Sequence, residues 1–192
     1  MGTVFGAFLA VVSLVVFSGA DALAARQPNG AERKGLMDAI SRVRKNGYDQ
    51  PAADLSRKLA LGALLVEDSW PSGMWGLTNY PILGEQTITV NAQAIPDPSA
   101  SYYTKLKNGA VELLADRVWL AAILAHEWYH TTQSALWIRT IGRNEGARER
   151  PAWQYQADFL SRAVNRFSQG DKAASQRLQD LVERAQEEVN AR

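Results

Sequence analysis

The chain contains two histidines, and both lie in the segment His126-Glu127-Trp128-Tyr129-His130. On a helix, residues four positions apart share a face, so two imidazoles at this spacing can bind one metal ion. Glu127 then stands beside that ion, where it can act as a base. If the two histidines of a chain with ten glutamates were placed at random, this arrangement would occur about once in two thousand trials, so the pattern indicates a metal site. The alternative is a buried histidine next to a solvated glutamate.

A catalytic zinc site has three protein ligands and one position left for water. The sequence has no third histidine and no cysteine, so the remaining ligand must be a carboxylate or, less commonly, a tyrosine. The absence of cysteine also excludes disulfides, cysteine-ligated zinc fingers, a thiol nucleophile and a lipid-modified cysteine. The sequence therefore predicts Zn²⁺ as the cofactor, bound by two imidazoles and an oxygen ligand.

The motif resembles that of the gluzincins, a class of zinc metallopeptidases. The longer metzincin motif is not present, because Gln133 and Leu136 stand where that class has a glycine and a third histidine. In gluzincins the third ligand is a glutamate on a later helix, often in an E-x-x-A segment, and Glu149-Arg150-Pro151-Ala152 has this form. The resemblance covers residues 111 to 164, under a third of the chain, and it implies His126, His130 and Glu149 as the zinc ligands.

Other assignments of the third ligand remain open. Glu145 and Asp158 are carboxylates close to Glu149 in the sequence. In a second alignment, residues 154–158 take the place of E-x-x-A-D, with Gln154 where the ligand would be. In that alignment the zinc would lack its anionic ligand, and the protein would be inactive.

The resemblance also implies a thermolysin-like reaction, in which Glu127 takes a proton from the attacking water and passes it to the leaving amine. The oxyanion needs a donor besides the metal, and the candidates are Tyr80, Tyr102, Tyr103 and Tyr155. Zincins hold the substrate along an edge strand above the active-site helix. Residues 87–91 are the candidate for that strand, although they could equally form an interior strand.

Three residues next to the histidines are interpreted from their helical positions. Trp128 and Tyr129 point away from the face that carries the imidazoles, so we expect them to pack in the core. Gln133 follows His130 by about one turn. It either forms a hydrogen bond with a metal ligand or is a half-buried polar residue of the helix.

Hydrophobic spacing predicts the elements that hold these residues. Helices are predicted over residues 36–46, 51–65, 110–138 and 151–168, and from residue 171 onwards. Residues 86–91 alternate polar and apolar side chains and predict a strand, which could form a hairpin with residues 77–83. The predicted fold class is α+β and mostly helical, a small zincin-like domain with a short β-hairpin or small sheet over a central active-site helix.

The first 24 residues have the form of a secretory signal peptide. An uncharged apolar run over residues 4–17 precedes Ala22-Leu23-Ala24, which matches an A-x-A cleavage site. The run is shorter than the roughly 20 apolar residues of a membrane span. We expect a secreted or periplasmic domain of residues 25–192 with no stable membrane insertion after cleavage, and a retained anchor is the alternative.

The overall composition fits one globular domain. Net charge is +1 and 46% of the residues are hydrophobic, so nothing predicts a nucleic-acid partner. The predicted function is that of a zinc-dependent hydrolase, first of all a metallopeptidase with a peptide or protein substrate. Two alternatives are a catalytically inactive zincin-like binding module and a zinc amidase that acts on cell-wall peptides. The sequence does not predict an oligomeric state.

Overall fold

The computed structural model describes residues 25–70, 74–79, 85–133 and 145–192. The predicted signal peptide lies outside these residues. The described chain is α+β and mostly helical, as predicted, with one three-stranded mixed sheet. Its helices are α1 (Gly30–Lys45), α2 (Asp49–Leu61), α3 (Ser101–Lys105), α4 (Gly109–Thr132), α5 (Glu145–Phe167) and α6 (Lys172–Ala191). Its strands are β1 (Leu64–Glu67), β2 (Gly76–Asn79) and β3 (Thr87–Asn91). No helix in the described ranges combines the length and apolar character needed to cross a membrane.

The second helix is shorter than predicted. We expected it to continue to Leu65, but α2 ends at Leu61 because Gly62 adopts a left-handed conformation, with φ of 73°. Leu64 and Leu65 belong to β1 instead, and Leu64 is fully buried. A short apolar run has the same appearance in a helix and in a buried strand, which is why the sequence pattern gave the wrong element.

The sheet has the strand order β1–β3–β2. The predicted strand is confirmed, and residues 77–79 of its predicted partner pair with it in antiparallel register, with Gly76 opposite Val90 and Asn79 opposite Thr87. The connecting residues 80–84 lie outside the described part. Because β1 pairs in parallel on the other side, β3 is the interior strand of this sheet. Of the two alternatives for residues 87–91, an edge strand or an interior strand, the structure has the interior one, and β2 has the edge position.

The helix that carries the two histidines, α4, lies in the middle of the fold. Residues 118–128 are all buried, and the helix packs against α1, α5, α6 and β2. It begins at Gly109, close to the predicted start. It ends at Thr132, because Gln133 has an extended backbone with ψ of 127°, so the prediction of a continuous helix to residue 138 is wrong.

The fifth helix begins six residues earlier than predicted. We expected Pro151 to open it, since proline is common at the first position of a helix. Instead α5 begins at Glu145 and Pro151 lies inside it. Glu149 is consequently held on a helix and not in the preceding connection. The last helix begins where it was predicted, and the Asp171 side chain caps it by accepting from the backbone N–H groups of Ala173 and Ala174.

Candidate metal centre

Three donor atoms from α4 and α5 form a small triangle. His126 Nε2 and His130 Nε2 are 3.1 Å apart, and Glu149 Oε2 is 3.4 Å from each of them. A tetrahedral zinc ion lies about 2.0–2.1 Å from nitrogen and oxygen ligands, which places the ligand atoms about 3.3–3.4 Å from one another. The side chains of His126, His130 and Glu149 therefore fit a zinc ion without rearrangement.

Among the alternatives for the third ligand, Asp158 does not join this triangle. Asp158 is exposed, and its Oδ1 accepts a hydrogen bond from Gln154 Nε2 at 3.0 Å. Both residues face away from the two histidines, so the alignment with Gln154 as ligand is not formed. The side chain of Glu145 lies outside the described part of the structure. Glu149 is the carboxylate that the fold brings to the imidazoles.

The electrostatics of the triangle favour a charged carboxylate. Burial alone would raise the pKa of Glu149, but hydrogen bonds and positive charge from His126 and His130 lower this pKa well below its usual range. Burial alone would lower the pKa of His130, yet hydrogen bonding to Glu149 and the negative charge of Glu127 give a net increase of this pKa. Because the pKa of His130 is raised, a metal ion at this position competes with a proton on that imidazole.

Arg148 fixes the orientation of the Glu149 carboxylate. Its Nε and Nη2 donate hydrogen bonds to Glu149 Oε1 at 3.0 and 2.8 Å. Because Oε1 is occupied by the guanidinium, only Oε2 faces the imidazoles. This arrangement presents Glu149 as a ligand with one oxygen, and the sequence pattern gave no indication of the role of Arg148.

Gln133 connects the two helices that carry the ligands. Its Oε1 is 3.0 Å from His130 Nδ1, and its Nε2 donates to the backbone oxygen of Arg148 at 2.9 Å. With His130 Nε2 facing the metal position, Nδ1 carries the proton and donates it to this oxygen. Gln133 therefore contacts a predicted ligand, which is one of the two roles considered from its sequence position.

Glu127 lies against strand β2. Its Oε2 accepts a hydrogen bond from Thr78 Oγ1 at 2.8 Å, and the Thr78 hydroxyl lies equally close to the Glu127 backbone oxygen. A Cβ atom built on Gly76 would lie 2.6 Å from Glu127 Oε1, so only glycine leaves room for this carboxylate. Burial raises the pKa of Glu127, and the nearby histidine charges and the Thr78 hydroxyl offset only part of this effect. A glycine within a strand often marks a place where another group approaches the backbone closely. The glycine at position 76 was therefore the one feature of the sequence that could have indicated this contact.

A cavity of about 200 Å³ connects these groups. It is lined by residues 74–78, which include the start of β2, by side chains of α4 between Trp119 and His130, by side chains of α5 between Arg148 and Gln156, and by Arg192. The three candidate ligands and Glu127 all belong to this lining. A substrate in the cavity would therefore reach both the metal position and the candidate base.

Three of the four predicted tyrosine donors, Tyr102, Tyr103 and Tyr155, do not line the cavity. Tyr155 packs against Tyr48 and Tyr129, with ring centroids 5.3 and 5.2 Å apart. Tyr103 donates its hydroxyl proton to Asp116, and Tyr102 is exposed. Tyr80 lies outside the described residues.

The packing roles predicted for Trp128 and Tyr129 are confirmed. Trp128 is buried in the core, where its indole nitrogen donates to Asp54 Oδ2 at 3.0 Å. Tyr129 packs against that same core and against Tyr155. Neither side chain lines the cavity, so the metal face of α4 is left to the two histidines and Glu127.

Comparisons with protein-family models, with curated proteins and with solved structures return no match for this chain. The function is therefore inferred from the geometry of the residues themselves.

Proposed function

We propose that this protein is a zinc-dependent hydrolase, and specifically a gluzincin-type metallopeptidase that cleaves peptide bonds. The triangle of His126 Nε2, His130 Nε2 and Glu149 Oε2, with sides of 3.1, 3.4 and 3.4 Å, is the observation that carries this proposal. When bound there, zinc supplies a water molecule with a pKa near neutrality and an electrophile for the substrate carbonyl.

Glu127 is the general base of the proposed reaction. It accepts a proton from the attacking water and then delivers that proton to the leaving amine. The hydrogen bond from Thr78 fixes one carboxylate oxygen, so the orientation of the base is set before the substrate arrives. Burial raises the pKa of Glu127, which suits a group that must hold a proton between these two steps.

Strand β2 is the proposed binding edge for the substrate backbone. It lies at the edge of the described sheet, and Gly76, Leu77 and Thr78 line the cavity beside Glu127. An extended peptide can add to such an edge through main-chain hydrogen bonds. This would place a peptide bond between the metal position and the base.

The position of Glu149 argues against the inactive binding module, because the alignment that favoured this alternative has Gln154 in place of the anionic ligand. The zinc amidase uses the same chemistry and differs only in its substrate. Secretion or export to a periplasm remains a proposal that depends on the signal-peptide pattern in residues 1–24.

The test is digestion of fluorescent casein and of purified peptidoglycan by the zinc-loaded protein. We expect casein cleavage that a chelator abolishes and added zinc restores. Glu127→Gln should retain zinc while turnover falls by about 10²–10⁴, the usual effect of losing a general base. Release of peptides from peptidoglycan alone would support the amidase. A protein that binds no zinc after metal addition would contradict both.

A further inference from the structure

The main-chain groups of β2 that point away from the sheet follow from its pairing with β3. The Asn91 N–H donates to the Trp75 oxygen at 3.1 Å, and these two residues are opposite each other in the antiparallel register of the two strands. Bonded and non-bonded pairs alternate along an antiparallel ladder, so every second residue turns its N–H and C=O towards β3. Trp75 and Leu77 do so. Gly76 and Thr78 turn theirs to the open edge.

This open edge lies beside the candidate base. Gly76 and Thr78 line the cavity, and the Thr78 hydroxyl donates to the Glu127 carboxylate. No described residue forms a main-chain hydrogen bond with the edge groups of Gly76 and Thr78. An extended peptide that adds to β2 would supply the missing donors and acceptors, because strand addition is built from such main-chain bonds.

Leu77 lies on the other face of this edge strand. Successive side chains of a strand alternate between its faces, so Leu77 points away from α4, the helix that Gly76 and Thr78 contact. Leu77 is 46% exposed, and Met74, which also belongs to the cavity lining, is 42% exposed. Two of the five exposed large hydrophobic residues in the described ranges therefore lie at the cavity. An open edge with exposed apolar side chains favours pairing with another strand.

We propose that Leu77 is a specificity residue, and that the hydrolase inferred above acts on extended peptides with an apolar side chain opposite Leu77. The inference rests on the proposed function. Directly opposite side chains of paired strands lie on the same face, so this side chain of the peptide would cover the exposed surface of Leu77. The peptide residues before and after it would point towards α4 and the cavity. Leu77 thus reads a side chain that does not enter the metal site.

Quenched fluorescent peptides that carry Leu, Ser, Glu or Lys at one position at a time test this assignment with the zinc-loaded protein. At the position opposite Leu77 we expect kcat/KM for Leu to exceed that for Ser by about two- to fivefold, as for a cross-strand pair. Leu77→Lys should shift the preference at this position to Glu, and Leu77→Glu should shift it to Lys. Leu61→Lys is the matched control, since Leu61 is an exposed leucine at the end of α2 that does not line the cavity. If the Leu77 variants leave every preference unchanged, the inference is wrong and the hydrolase remains.

The main-chain bonds are tested by methylating one peptide nitrogen of the substrate at a time. Whichever direction the peptide runs, an added strand directs the N–H of every second residue to β2. We expect methylation to weaken binding by about three- to tenfold at alternate positions, as for the loss of a hydrogen bond, and to have little effect between them. Equal losses at consecutive positions would contradict pairing with Gly76 and Thr78.

A binding measurement separates this inference from the proposed function. Fluorescence anisotropy of labelled peptides with the zinc-loaded Glu127→Gln protein requires no turnover. We expect tighter binding of the Leu peptide than of the Ser peptide, and loss of that difference when Leu77→Lys is added. If this difference is present while the wild type cleaves no peptide, the apolar site stands and the hydrolase proposal fails. If sedimentation instead shows a dimer that Leu77→Lys dissociates, the edge pairs with a second copy of the chain and the inference is overturned.

Discussion

The Cα atom of Gly76 lies so close to the carboxylate of Glu127 that a methyl group at Gly76 would overlap it, 2.6 Å from Oε1 and 2.9 Å from Cδ. Strand β2 and helix α4 can approach this closely because one residue in the strand lacks a side chain. The position of the candidate base is thus defined by the sheet as well as by its own helix.

Replacing Gly76 should therefore impair catalysis more than metal binding. In Gly76→Ala we expect kcat to fall at least about tenfold, because the base must move, and the free energy of unfolding to fall by about 1–3 kcal/mol from overpacking. Zinc content should stay at the wild-type level. Gly30→Ala is the control, since a Cβ there would meet no atom within 4 Å. Wild-type kcat in Gly76→Ala would show that Glu127 does not need its observed position.

Removal of the third ligand should weaken zinc binding selectively. Glu149→Ala leaves two nitrogen ligands, so we expect the Kd for zinc to rise by more than the roughly 10–100-fold that loss of an outer-shell partner causes. Asp158→Ala should leave the Kd unchanged, because Asp158 is exposed and bonded to Gln154. Competition with a chromophoric chelator measures both values. A larger effect in Glu145→Ala than in Glu149→Ala would transfer the assignment to Glu145.

Arg148 should act on the metal through Glu149. Arg148→Met keeps the length of the side chain but frees Glu149 Oε1, so the carboxylate can rotate and the Kd for zinc should rise about tenfold. Arg150→Met is the matched control, because Arg150 is the exposed arginine on the other side of Glu149. An equal Kd in the two variants would mean that Arg148 does not position the ligand.

The ionisation of the site predicts opposite pH trends for the metal-free and the zinc-loaded protein. The pKa of Glu149 is lowered on folding, so its contribution to stability is present above its unfolded value near 4.5 and is lost as the pH falls. The pKa of His130 is raised, so its contribution is present below its unfolded value near 6.5 and is lost as the pH rises through the folded value. The pKa of Glu127 is also raised, so the stability of the metal-free protein again falls as the pH rises.

The metal-free protein should therefore lose stability above neutral pH, where zinc binding improves because its ligands are deprotonated. We expect the difference in Tm between the zinc-loaded and metal-free protein to grow from pH 5 to pH 8, measured by differential scanning calorimetry. A difference that is constant over this range would contradict competition between zinc and a proton on His130.

The sequence predicted those parts of the site that depend on local periodicity. The shared face of His126 and His130 follows from helical spacing alone, and strand β3 follows from alternation. The start of α5 was predicted wrongly because proline is common at the first position of a helix, and Pro151 was taken to mark that position. In the structure the helix begins at Glu145, and it packs against α4. Thr78 contacts Glu127 across 49 positions of the chain, a pairing that no local pattern contains.

Gln133 bonds to His130 on one side and to the backbone of Arg148 on the other, so a single amide sets the spacing between the helix with the imidazoles and the helix with the carboxylate. The ligands are consequently preorganised by the protein and not gathered by the metal. In zinc fingers the binding energy of the ion is used to fold the chain. At the proposed zinc site we therefore expect little reorganisation of the protein when the metal binds, so the free energy of metal binding would not be used to fold the chain.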